Sequence, residues 1–225
     1  MIDIKDLKKT FGENVVLDHF SHSFAPGKVY GIVGENGAGK TTLFRCIAGF
    51  ESFEGEVTSS QSPLKNYLGY LPTEPFFFEK MTGREYLQLL CNARGATVSD
   101  LDEKNFFELP LHQFASTYST GMKKKLALTG ILLQSNDYFI LDEPFNGLDI
   151  QSNMMLTEVI HQLKAKQKIV IISSHIFSTL ADTCDEIIHL KKGHPAKVIP
   201  PTHYQTLESE LREAVVSEKL GKMFQ

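Results

Sequence analysis

Residues 34 to 42 read GENGAGKTT, three glycines and a lysine in nine positions. Gly34, Gly39, Lys40 and Thr41 satisfy the spacing G-x-x-x-x-G-K-[ST]. Glycines let successive backbone N–H groups turn inward without Cβ clashes, so such a loop cradles phosphate oxygens at a helix N-terminus. Lys40 adds a point charge worth about 4 kcal/mol at contact distance in a partly screened site. Thr41 offers a hydroxyl to Mg²⁺. A nucleoside triphosphate is the ligand this chemistry implies. A second segment, YFILDE at 138–143, ends an apolar run in two carboxylates. Asp142 is expected to hold Mg²⁺ through water. Glu143 is placed to polarise an attacking water, a role that contributes ~10²–10⁴ in rate.

Both segments need particular elements around them. VYGIVG (29–34) is a β-branched run feeding the glycine loop, and TTLFRCIAGF continues at helical spacing until Gly49. IDI, VVL and GEVTS read as short strands, with APGK as a turn. From about 73 to 120 β-branched residues thin out, and REYLQLLCNARG and LDEKNFFEL are expected to be helical. GMKKKLALTGILLQ and SNMMLTEVIHQLKAK then read as helices, and DYFILDE, KIVIISSH and EIIHL as strands, with a short helix before the last. Apolar strands alternating with helices predict a parallel sheet covered on both faces, with ligands at the carboxyl ends of its strands.

The 225 residues are 42% hydrophobic and 22% charged, enough for one well-buried domain. A net charge of -4, from 23 basic and 27 acidic residues, argues against nucleic acid as the main partner. Cys46, Cys91 and Cys184 lie far apart without a CxxC pair and read as packing residues of a reduced compartment. MIDIKDLKK lacks the apolar block of a signal peptide, and no apolar run approaches the ~20 residues of a membrane span. The expected location is cytoplasmic.

Other segments discriminate among phosphate-loop proteins. YSTGMKKKLAL (118–128) resembles the LSGGQ signature of ABC-type ATPases, with Ser119, Thr120, Gly121 and Met122 in the S-G-G-Q places. SSH, ending at His175, matches that family's switch histidine, and NGLD, ending at Asp149, matches its D-loop. The agreement in order and spacing runs from Phe11 to about residue 190. The resemblance implies an α/β P-loop NTPase core with a mixed, mainly parallel sheet, an N-terminal antiparallel β subdomain and an inserted helical subdomain. In one ABC ATPase domain spanning 1–225, residues 1–72 and 121–225 would form the core and residues 73–120 the insertion. It further implies ATP and Mg²⁺ as ligands, with Phe11 stacked on adenine, Val16 beside it, and Asn36, Gly37, Ala38, Gly39, Lys40, Thr41 and Thr42 around the phosphates. Thr41 and Asp142 would serve the metal. Lys40, Glu143 and His175 would carry hydrolysis, with His175 on the γ-phosphate. Members pair head to tail, so Ser119 and Gly121 would reach the phosphate of a second ABC ATPase subunit, with Asp149 nearby.

Two positions depart from the pattern. Thr120 replaces the signature's first glycine, and the segment GYLPTEP puts Thr73 where the family has a glutamine, with Glu74 next as the expected substitute. At least two of Lys123, Lys124 and Lys125 are expected on a solvated face, since they lie about 100° apart on a helix. Seven histidines besides His175 (His19, His22, His112, His161, His189, His194 and His203) show no ligand spacing. Phe76, Phe77 and Phe78 either line a groove for a membrane subunit or pack under their own helices. In the C-terminal segment Leu207, Leu211 and Val215 form a stripe with Leu220 nearby, fit for packing on the domain or against a second copy. Chain length and wording look most like the ATPase subunits of small bacterial exporters. That resemblance implies an integral membrane permease as partner and a peripheral position on the cytoplasmic face. The alternative is a soluble or regulatory ABC ATPase that dimerises on ATP without transport.

Overall fold

The computed structural model describes residues 1–96, 100–174, 177–192, 194, 196–207 and 209. In chain order its elements are β1 (Ile2–Phe11), β2 (Asn14–Phe24), β3 (Lys28–Val33), α1 (Lys40–Ile47), β4 (Glu54–Ser59), β5 (Leu68–Leu71), α2 (Gly83–Asn92) and α3 (Thr120–Leu133). Then follow β6 (Tyr138–Leu141), α4 (Ile150–Ala165), β7 (Ile169–Ser173), α5 (Phe177–Thr183), β8 (Glu186–His189) and β9 (Lys197–Ile199). The large sheet runs β5-β6-β7-β3-β8-β9, parallel except for β9. The small antiparallel sheet runs β2-β1-β4. This is the α/β P-loop NTPase fold, with the mixed, mainly parallel sheet and N-terminal antiparallel sheet expected from the sequence.

Strand residues alternate between the two faces of the large sheet, because successive Cβ atoms point oppositely. Tyr30, Ile32, Tyr138, Ile140, Ile169 and Ile171 pack with α1 and the small sheet. Val29, Val33, Phe139, Leu141, Val170 and Ile172 pack on the opposite face with residues of α3, α4 and α5. Each fully buried Val, Leu or Ile stabilises the fold by about 1.5–3 kcal/mol. The double cover fixes the register of β3, β6 and β7, since a one-residue slip would exchange the two faces. The carboxyl ends of β3 and β6 therefore meet at one rim. Cys46, Cys91 and Cys184 are all buried and unpaired, as packing residues should be.

Two sequence expectations need correction. LDEKNFFEL is a run of turns rather than a helix. The Asn105 side chain accepts from Leu109 N–H and donates to Leu109 O, and Glu108 takes φ +54°, so side-chain bonds outcompete the helical ladder. The strands read as IDI and VVL extend to ten and eleven residues. The burial pattern of β1 passes from Ile2 and Ile4 to Leu7 and Lys9 across a register shift at Asp6, which has φ +54°. Such a bulge breaks the period of two that exposes a strand in the sequence. Leu207 is buried in the core with Tyr204, whereas Leu211, Val215 and Leu220 lie outside the described residues.

Candidate active site

β3 delivers the glycine loop to the rim, and α1 begins at its end. Gly39 is the N-cap of α1 with φ +105°, a conformation that side chains strongly disfavour. No side chain caps this helix and no acid sits in its first turn. Its first amides and the positive end of its dipole are thereby left for an anion. Lys40 is buried, its Nζ donating to Gly34 O at 2.7 Å and Glu35 O at 3.2 Å. Burial lowers the pKa of this ammonium, while the Glu143 and Asp142 carboxylates oppose the shift. A phosphate oxygen would oppose it more strongly, so nucleotide binding and a charged Lys40 reinforce one another.

The second wall comes from β6. Asp142 Oδ2 accepts from Thr41 Oγ1 at 2.7 Å, and Asp142 Oδ1 accepts from Ser173 Oγ at 2.6 Å. Ser173, at the end of β7, in turn accepts the Glu143 N–H at 2.9 Å. Glu143 takes φ +51°, a left-handed conformation costing a non-glycine residue on the order of 1–3 kcal/mol. The bond from its N–H to Ser173 Oγ and one from the Lys124 ammonium to Glu143 O, at 2.6 Å, hold the residue there. A hydroxyl and a carboxylate, both hard oxygen donors, suit Mg²⁺, which binds through one or two such groups plus phosphate and water. No cluster of three or more His, Cys, Asp or Glu fit for a metal occurs among the described residues.

A cleft of about 400 Å³ joins the walls, lined by Val16, Asn36, Gly37, Gly39, Lys40, Thr41, Thr42, Asp142 and Glu143 from the sequence reading, and by Thr73. Ala38 is buried beneath the loop. Glu74 is exposed and absent from the lining. Phe11, at the end of the β1–β2 hairpin, is also absent from the lining; it is half exposed, with the Lys9 ammonium 4.6 Å over its ring. His175 lies outside the described residues. Asn14 and Lys192 line the cleft without having been singled out in the sequence. Lys192 belongs to the loop after β8, and loops at the carboxyl ends of parallel strands converge there.

The signature segment forms the start of α3. Ser119 is its N-cap, accepting from Met122 N–H at 3.3 Å. A Cβ at Gly121 would stand 2.6 Å from Gly147 O, so only glycine permits this approach to the NGLD loop. Asp149 caps α4 through Ser152 N–H and pairs with Lys125 at 2.9 Å. The lysine run therefore departs from expectation. Lys124 is 2% exposed and donates to Glu143 O and to Asn146 O at 2.9 Å, and Lys125 is tied to Asp149. Their direction is a property of α3's docking on the loop, which spacing around a helix does not disclose.

The ABC transporter family model matches residues 17–146. Among curated relatives, the ABC transporter ATP-binding protein NatA of Bacillus subtilis is 31% identical, with 100% of this chain and 96% of the relative covered. The lantibiotic transport ATP-binding protein SrtF of Streptococcus pyogenes is 30% identical, over 97% of this chain and 99% of the relative. A solved ATP-binding subunit of an ABC transporter superposes with a TM-score of 0.78 at 26% identity, covering 92% of this chain and 93% of the other. A phosphate loop opposite an acidic strand end, a signature helix beside them and similarity over nearly the whole length lead to one conclusion: the chain belongs to the ABC transporter family, as an ATP-binding subunit with ATPase function.

Proposed function

We propose that the chain powers a separate membrane-spanning permease, most simply an exporter, from the cytoplasmic face of the membrane. The observation that carries this reading is an exposed aromatic pair that begins three residues after the cleft residue Thr73. Phe76 and Phe78 are 73% and 55% exposed, their rings edge to face at 5.3 Å, while Phe77 between them is 9% exposed and packs on Tyr86. One of three phenylalanines serves the core and two face outward, where a helix of a partner would find an apolar seat next to the nucleotide. Residues 73–120 would then act as the lever between ATP and permease. No helix among the described residues is long and apolar enough to cross a membrane.

At the cleft, Asn36 to Thr42 wrap the phosphates, Val16 and Phe11 flank the adenine, and Thr41 with Asp142 would hold Mg²⁺, which neutralises phosphate charge when bound. Glu143 orients and deprotonates water, and His175 is assigned to the γ-phosphate. Two chains pair head to tail, so that Ser119 and Gly121, with Asp149 behind them, close over the partner's ATP. Outward transport rests on the resemblance of the GYLPTEP and YSTGMKK segments to the ATPase subunits of small bacterial exporters.

Substitution tests the lever. Phe76→Ala with Phe78→Ala should leave stability within about 0.5 kcal/mol and abolish stimulation of ATPase activity by the co-purified permease. Stimulation that survives the double substitution would remove the pair from coupling. Direction is read in inverted vesicles carrying both subunits: external ATP should drive uptake of a labelled peptide, and ATP-driven release would reverse the assignment.

A further inference from the structure

We propose that Lys124 is a positioning residue for hydrolysis: its buried ammonium ties the signature end of α3 to the main chain of Glu143, so that closure on one nucleotide sets the catalytic carboxylate at the other. The inference rests on the head-to-tail pairing above, in which Ser119 and Gly121 serve the partner's ATP while Glu143 serves the chain's own.

Three attachments bind the first turns of α3 to residues 143–149. Gly121 fits against Gly147 O, Lys124 bonds Glu143 O and Asn146 O at 2.6 and 2.9 Å, and Lys125 pairs with Asp149. Of these only Lys124 reaches the residue that carries the catalytic carboxylate. Both peptide groups of Glu143 are thus held by side chains from different elements, the N–H by Ser173 of β7 and the carbonyl by Lys124 of α3. An ammonium has three donors and can span two carbonyls at once. The buried setting makes such charge-assisted bonds short and directional. With φ at +51°, Glu143 sits in a strained conformation that these partners help to hold, together with the Asn146 N–H, which donates to the same carbonyl at 3.3 Å. A displacement of α3 therefore pulls on the backbone beneath the carboxylate. Burial lowers the pKa of this ammonium, while the carboxylates of Glu143, Asp142 and Glu74 oppose the shift and favour its protonated form.

The test compares Lys124→Met, which keeps length and loses the donors, with Lys124→Arg, which restores them. In the full chain, Lys124→Met should lower kcat by about 10- to 100-fold with KM and single-chain ATP affinity within about 3-fold, and Lys124→Arg should recover most of the loss. Amide exchange of residues 143–149 in the nucleotide-free chain should quicken by at least ~10-fold in Lys124→Met, with β6 unchanged. Unaltered exchange, an unaltered kcat, or a loss that arginine does not repair would overturn the proposal. Where Lys124→Met fails to fold, Lys124→Gln takes its place and should fall between wild type and a dead enzyme. Loss of folding in both would reduce Lys124 to a structural role and also overturn it. A wild-type chain that never dimerises on ATP would instead fault the head-to-tail reading, and the exchange measurement would still decide the tether.

Discussion

The chain presents two helix starts for which phosphate is the proposed ligand, and they are built differently. The N-terminus of α1 is left open: Gly39 has no side chain to cap it, and Lys40, Thr41 and Asp142 surround the space in front. The N-terminus of α3 is already capped by Ser119, and its position is fixed from behind by Gly147, Lys124 and Lys125. An uncapped end with a buried cation has most to gain from a ligand. A capped end tied to another loop gains less from a ligand but passes on where that ligand sits. Affinity should therefore reside at α1 and control at α3.

The sharpest break in this comparison is Lys40→Met. Removing a charge worth about 4 kcal/mol at contact should weaken ATP binding by roughly 10²–10³-fold. Titration with a fluorescent ATP analogue checks it, and affinity within a few-fold of wild type would disprove the division of labour. Gly121→Ala is the counterpart. Its methyl would press on Gly147 O, so ATP binding by the single chain should hold while steady-state turnover falls by about 10-fold. Equal losses of both would mean that the two helix starts are not separable.

Within the core, Phe77→Ala should cost about 3 kcal/mol in chemical denaturation, in contrast to its exposed neighbours Phe76 and Phe78. A melt no lower than theirs would contradict the burial of Phe77 against Tyr86. The smallest effect belongs to the Lys125–Asp149 tie. The bond from Lys125, with those from Ser152, holds the Asp149 carboxyl well below the usual carboxylate range. A depressed folded-state pKa stabilises above the unfolded value of about 3.9, and that contribution is lost as pH falls below it. Lys125→Met should flatten the acid limb of the melting profile, and an unchanged limb would show that the pair does not act on stability.

Contiguity decided what the sequence disclosed. GENGAGKTT and YFILDE each carry their chemistry within one short segment at a strand end, and the cleft contains both. The continuous apolar runs of β3, β6 and β7 identified the parallel sheet because both of its faces are buried. The bulge at Asp6 concealed the full length of β1, and the Asn105–Leu109 bonds undid a helix that composition favoured. Lys124 could not be told from Lys123 and Lys125, because burial there depends on a loop that arrives about twenty residues later in the chain. Ser173 carried a weak signal: it is the first polar residue after the apolar run of β7, next to the acidic strand end.

Sedimentation of Glu143→Gln with Mg²⁺ and ATP tests the central claim most directly. Slowed hydrolysis should trap two chains around two nucleotides, and Gly121→Ala in the same background should loosen that dimer without emptying the cleft. A chain that binds one ATP fully yet remains a monomer at every concentration would contradict the account.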